Sequence, residues 1–161
     1  MTEALTRRLK QADFASPAQE ALLSVMVAAS TLNGVMDRVC AKHKITRPQY
    51  NVLRILRGVH PHGHPRREIA CRMLDRAPDI TRLLDRLEAR KLVRRARGSE
   101  DQRQTVTYIT AKGIKLLNTM QPTVERETSD LLHGLTEADC HELSRLCAAI
   151  LGADEQDAET G

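Results

Sequence analysis

Apolar residues fall at helical spacing along most of this chain, and the exceptions mark where it turns. From Leu22 the series Leu22, Val25, Ala29, Leu32, Met36, Val39 alternates steps of three and four, a heptad-like stripe that calls for a second helix against it. Ser16-Pro17-Ala18-Gln19 supplies the start, with Ser16 as cap, Pro17 in the first turn and Gln19 able to complete a capping box. Residues 1–15 are polar and weakly patterned, and are expected to be loose. The stripe is satisfied by packing within one chain or by a partner helix in a dimer. Its length in so small a protein favours the dimer.

Thr46-Arg47-Pro48-Gln49 is a second capping box, and Tyr50, Val52, Leu53 and Leu56 give the following helix its apolar face up to Gly58. Residues 58–65 read as a loop of Gly, Pro and His. A short helix is expected over Arg66–Leu74, with Ile69, Ala70 and Met73 inward. After a turn at Asp75-Arg76-Ala77, Pro78 opens another helix, whose Ile80, Leu83, Leu84 and Leu87 form an i, i+3, i+4, i+7 stripe. The period then changes. Residues 92–95 and 105–109 read as two strands of a hairpin with a polar tip at 98–103, though alternation in the second strand leaves its buried face open.

Thr110 caps a long helix carrying Leu117, Met120, Val124 and Leu131, with Pro122 inside it as an expected bend. Thr136 starts a last helix with Leu143, Leu146, Cys147 and Ile150 on one side, and Gly152 is its expected end. The element order predicts a mainly α fold with a small β-wing: a winged helix-turn-helix between N- and C-terminal helices.

Charge sharpens this picture. Residues 66–103 hold twelve basic and seven acidic residues, a net of +5, while the remainder holds thirteen basic and fourteen acidic, a net of −1. A positive excess confined to the helix-turn-helix and the hairpin points to a polyanion-binding face, foremost duplex DNA. With one Phe, two Tyr and no Trp, the chain lacks the aromatic platforms that stack single-stranded bases. No apolar run reaches the length of a membrane span and no basic-then-apolar leader is seen, so a cytoplasmic, membrane-free protein is expected. Four scattered cysteines without a CxxC pair read as reduced thiols.

The helix from Pro78 carries the candidate chemistry. Opposite its apolar stripe stand Asp79, Thr81, Arg82, Asp85, Arg86 and Arg90, and Arg82, Arg86 and Arg90 lie four apart on an exposed strip. A helix of this kind fits the major groove, its first residues reaching base edges. Arg82 is the candidate for a bidentate contact to guanine. Thr81 suits a phosphate or a thymine methyl. Asp79 either accepts from cytosine or orients Arg82. Arg94, Arg95 and Arg97 run along the first strand and Arg103 sits near the tip, where it can enter the minor groove with Asp101 fixing its direction. Arg66 and Arg67 are placed to hold the phosphate backbone. The bland alternative is a solvated, salt-bridged surface, in which Asp101–Arg103 is an ion pair worth little.

Residues from about Ile45 to Leu151 resemble the MarR family of winged helix-turn-helix regulators. The resemblance is carried by ITRPQYNVLRIL (45–56), EIA (68–70), APDITRLLDRLEARKLVRR (77–95), DQR (101–103) and TVTYITAKG (105–113), and by their spacing. It implies an intertwined homodimer joined by residues 16–44 and 111–152, a DNA-binding lobe over 45–110, and a transcription regulator, commonly a repressor, on a palindromic operator. By the same resemblance Pro78–Arg90 is the recognition helix, and Asp101 and Arg103 are the wing's Asp-x-Arg motif. Many members are released by small phenolic or aromatic ligands. Two departures stand out: Ala77 replaces the usual capping hydroxyl before the proline, and Asp79 replaces a small hydroxyl residue. The residues from Ala153, with four acids and no base, are expected to form a disordered tail.

Weaker signals remain. His60, His62 and His64 alternate and would share one side of a strand, a pattern that can hold a metal, but the segment reads better as a solvated loop. Cys40, near Lys42, His43 and Lys44, is the candidate for a redox-sensing switch, an alternative to ligand control. No Gly-rich phosphate loop, HExxH or GxSxG is present, so neither an enzyme nor a cofactor is expected. A winged helix used as a protein-interaction module would show an apolar or acidic face on the Pro78 helix, where this sequence is basic.

Overall fold

The computed structural model describes residues 3–11, 13–74, 79–97 and 104–159, with side chains described as far as Gly152. The chain divides into two compact units, residues 1–124 and residues 125–161.

Capping chemistry sets the helix boundaries of the first unit. Helix α1 (Glu3–Leu9) forms where a loose segment is expected, because Leu5 finds a buried place. Helix α2 (Pro17–Lys42) starts on Ser16, whose hydroxyl accepts the Gln19 N–H at 3.2 Å. The Gln19 amide oxygen reaches past Ser16 to the Ala15 N–H, at 2.7 Å. Helix α3 (Arg47–Gly58) has the full capping box, with Thr46 Oγ1 accepting from Gln49 N at 3.4 Å and Gln49 Oε1 from Thr46 N at 3.0 Å. Its Val52, Leu53 and Leu56 are fully buried.

Helix α4 spans Arg66–Cys71, three residues shorter than expected. Ile69 is buried and Met73 packs against the core, but Ala70 faces solvent. Residues 75–78, including Pro78, lie outside the described residues. Helix α5 (Ile80–Ala89) buries Leu84 and Leu87, with Ile80 and Leu83 alongside. The sheet has three strands in the order β1-β3-β2: β1 (His64–Pro65), β2 (Val93–Arg97) and β3 (Thr105–Ile109). The two-residue β1, expected only as loop, pairs His64 with Thr107 and Pro65 with Val106. Gly63 permits that approach, since a Cβ there would lie 2.3 Å from the Thr107 carbonyl oxygen.

The hairpin register, Val93 with Ile109 and Arg95 with Thr107, decides which face is inward. Val93, Thr107 and Ile109 are buried, so Val106 and Tyr108 take the outer face.

Helix α6 (Ala111–Leu132) starts on Thr110, whose hydroxyl accepts the Gly113 N–H at 3.1 Å and donates toward the carbonyls of Lys91 and Leu92. Gly113 is sterically required there, because a Cβ would lie 2.4 Å from the Leu92 carbonyl oxygen. The helix continues through Pro122. Val39 and Cys40 from α2 and Leu117 and Met120 from α6 join one core with the residues of α3, α4, α5 and the sheet. Parts of α2 and α6 thus complete the core on which α3, α4, α5 and the sheet are packed.

In the second unit, helix α7 (Glu137–Glu159) is capped by Thr136, whose hydroxyl accepts from Asp139 N at 3.2 Å, while Asp139 Oδ2 accepts from Thr136 N at 2.9 Å. The helix does not stop at Gly152, and residues 153–159 are helical where a disordered tail is expected. One glycine costs about 1 kcal/mol in a helix, and the Ala, Glu and Gln that follow are good helix formers.

Candidate nucleic-acid interface

Helix α5 is set into the core by Leu84 and Leu87, which turns Thr81, Arg82, Asp85 and Arg86 outward. Asp79 caps it. Its Oδ1 accepts the Arg82 N–H at 3.0 Å, and its Oδ2 lies 3.1 Å from Arg82 Nε. Asp79 thus caps α5 and pairs with the Arg82 side chain, the capping being a task the sequence reading had not given it.

Arg66, at the start of α4, donates from Nη1 to Thr81 Oγ1 at 3.0 Å, so α4 and α5 meet at their N-terminal ends. Arg67 stands exposed beside it. A cleft of about 450 Å³ opens between α4, α5 and the sheet, with Arg66, Arg67, Thr81, Arg95 and Thr107 on its walls.

The arginines of β2 divide by strand alternation. Arg95 turns toward α5, where it pairs with Asp85 and lies 3.4 Å from Glu88 Oε2. Arg94 turns to the other face and stacks on Tyr108, 4.2 Å from the ring centroid. Arg97 is exposed at the end of the strand, opposite Thr105. Arg90 departs from the expected strip: its guanidinium donates to the Lys44 carbonyl and, at 3.4 Å, to that of His43. It ties the end of α5 to the end of α2, so the exposed strip consists of Arg82 and Arg86.

The balance of charge follows. Asp79 is taken by Arg82, and Asp85 and Glu88 by Arg95. Arg66, Arg67, Arg86 and Arg97 form no ion pair among the described residues and leave this face positive, while Arg94, which forms none either, lies on the other face of the sheet.

A model of the MarR family matches residues 45–105. The chain is 30% identical to the HTH-type transcriptional regulator MhqR of Bacillus subtilis (strain 168) over 112 residues, 70% of this chain and 76% of that protein. The chain belongs to the MarR family. It is a DNA-binding transcriptional regulator of that family, and neither its relatives nor its fold are those of enzymes.

Solved MarR structures agree with the fold. A MarR transcription factor from Planctomyces limnophilus is 36% identical, with a TM-score of 0.65 over 85% of this chain and 99% of that one. A mutant MarR from E. coli, complexed with operator DNA, is 19% identical, with a TM-score of 0.75 over 87% of this chain and 99% of that one. At that identity the likeness is one of fold.

Asp101 and Arg103, expected to form the wing's Asp-x-Arg motif, lie outside the described residues, as does Pro78. Cys40 is fully buried in the core, and its thiol is pushed up to about 11 by burial, with Asp37 adding to the effect and Arg47 opposing it. A sensor thiol needs the opposite shift. Of the three histidines, His60 and His62 are exposed, while His64 is partly buried in β1 with its Nε2 unpartnered. Burial, followed by the charge of Arg72, lowers the pKa of His64.

Sequence reasoning missed two further determinants of the site. Lys44 and Lys91 adopt left-handed backbone, with φ of 57° and 59°. After α5, Leu92 N donates to Leu87 O at 3.0 Å and Lys91 N to Glu88 O at 2.7 Å, the paired bonds of a Schellman turn. After α2, Ile45 N bonds Cys40 O at 3.1 Å and Lys44 N bonds Ala41 O at 2.9 Å in the same pattern. Glycine is the usual signal for such a turn, and lysine stands in its place.

Proposed function

We propose that this MarR-family chain acts as a homodimer that reads a palindromic operator in duplex DNA and represses transcription until a small effector, aromatic or phenolic in kind, releases it. The observation that carries the DNA reading is the two-sided character of α5: Leu84 and Leu87 lock one side into the core, and Thr81, Arg82 and Arg86 are held out on the other. A rigid helix with an arginine strip beside a basic hairpin suits the major groove and flanking phosphates. Arg82 reads a base. Arg66, Arg67, Arg86, Arg94 and Arg97 meet phosphates, and Arg103 with Asp101 serves the minor groove. Arg95 holds the wing strand to α5.

The dimer is supported by apolar residues left at the surface. Leu22 and Met26 of α2 are 60% and 59% exposed, and Leu143, Leu146, Ile150 and Leu151 of α7 are exposed as well. Patches of this kind mark interfaces. An effector acts by changing the distance between the two recognition helices, which must match half-sites about 34–36 Å apart. Among the described residues no helix is long and apolar enough to cross a membrane, in keeping with a regulator that works where the DNA is.

The redox alternative draws no support from Cys40, a packed thiol, and a protein-interaction module draws none from so basic a helix face. The test is selection of genomic fragments by the purified protein at near-physiological salt. One or a few palindromic sites are expected. Sequence-random, salt-sensitive recovery points to an architectural role, and no recovery overturns the reading.

A further inference from the structure

In the pair Asp79–Arg82 a single carboxylate performs two tasks. Oδ1 is occupied by the backbone N–H of Arg82, at 3.0 Å, which fixes the Asp79 side chain on the helix end. Oδ2 is thereby held in position and takes Arg82 Nε, at 3.1 Å. An ordinary exposed ion pair gives up most of its attraction to the freedom of two side chains. Here one partner is already immobilised by the cap, so the remaining cost falls on Arg82 alone. The bond engages the Nε edge of the guanidinium. The two Nη groups are left for a second, bidentate partner, which is the geometry guanine O6 and N7 require. The Arg82 side chain is 80% exposed, so this fork stands open to solvent.

A negative charge at the helix end nearest the DNA opposes phosphate binding. It also discourages Arg82 from swinging to the nearest phosphate, where it would add affinity without reading sequence. Both effects have the same direction: less affinity for DNA in general, more discrimination at one base pair.

We propose that Asp79 is a positioning residue that sets sequence specificity, holding Arg82 by its Nε for base reading while weakening non-specific binding. This rests on the base-reading role of Arg82 proposed above.

The experiment uses the full-length protein and the tightest duplex from the genomic selection. Each G·C pair of its half-sites is replaced in turn, and random-sequence duplex serves as the non-specific probe. Arg82→Ala is expected to flatten the preference at one G·C position per half-site by roughly 5- to 150-fold. Asp79→Ser keeps a capping oxygen but cannot reach Nε. It is expected to lower the same preference by roughly 2- to 12-fold, the range for releasing one ordered side chain. Affinity for random duplex should rise, the melting temperature should stay near that of the parent, and the substitution should add nothing to the preference in the Arg82→Ala background. If Arg82→Ala erases the preference but Asp79→Ser leaves it intact, Asp79 only caps and the proposal is wrong. If Arg82→Ala changes no position's preference, the base-reading role fails first, and this inference with it.

Discussion

Glu88 grips Arg95 at two points: Oε1 accepts the Arg95 backbone N–H at 2.9 Å, and Oε2 lies 3.4 Å from its Nε. With Asp85 on the same guanidinium, β2 is fastened to α5. Arg95→Ala should lower stability by about 1 kcal/mol, since the pairs are partly solvent-exposed and each contributes little alone. Urea unfolding would measure that loss. Operator affinity should fall as well, because the wing keeps only its backbone bond to Glu88 and loses the side-chain part of its tie to α5. A variant with parental stability and affinity would refute the coupling.

Salt dependence separates phosphate contacts from base contacts. The slope of log K against log salt should flatten by about 0.9 for Arg66→Ala, and likewise for Arg67→Ala, if each removes one phosphate contact. Affinity should drop by a similar factor on operator and random duplex. A titration of binding across salt concentrations reads both quantities, and an unchanged slope would remove that residue from the phosphate set.

Lys44 and Lys91 hold left-handed backbone without being glycine. That conformation costs an L-residue roughly 1–2 kcal/mol, offset in part by the greater freedom glycine gives the unfolded chain. Lys91→Gly should therefore stabilise the protein by a few tenths to about 1 kcal/mol. Differential scanning calorimetry should show a higher melting temperature; a lower one would contradict the account of this turn.

The Cys40 thiol titrates at about 11 in the folded chain against 9.0 for an ordinary thiol. A raised pKa means that the folded state favours the protonated form. The associated stability is whole below 9.0 and is lost as pH climbs toward about 11. The urea midpoint should fall over that window in the parent and fall less in Cys40→Ala. Native alkylation at neutral pH should label the exposed Cys71 well before Cys40. Rapid labelling of Cys40 would revive a sensor role.

Leu22 is 60% exposed on α2, outside the core. Leu22→Asp should leave unfolding of the winged lobe unchanged, halve the mass seen by light scattering and weaken operator binding. Parental mass would remove this end of α2 from the proposed dimer contact.

Much of the site was legible before the fold was known, because the forces involved are local. Thr46 and Gln49 form their reciprocal cap three residues apart, and Ile80, Leu83, Leu84 and Leu87 share a side of α5 by helical geometry alone. Arg82 and Arg86 follow on the opposite side. What could not be read was which arginines are already engaged. Arg90 is bound to carbonyls 46 and 47 residues away.

The sequence by itself determined the order of the longer elements, the N-caps at Ser16, Thr46, Thr110 and Thr136 and the basic face of α5, since these depend on neighbours within one or two helical turns. The tertiary structure decided the rest. It added β1, whose two residues pair with Val106 and Thr107 across a long stretch of chain. It put Thr107 and Ile109, not Val106 and Tyr108, on the buried side of β3, because register with β2 outweighs side-chain polarity in a short strand. It also turned Arg95 inward and Arg94 outward, because the pleat of β2 sends successive side chains to opposite faces and only one of those faces meets Asp85 and Glu88.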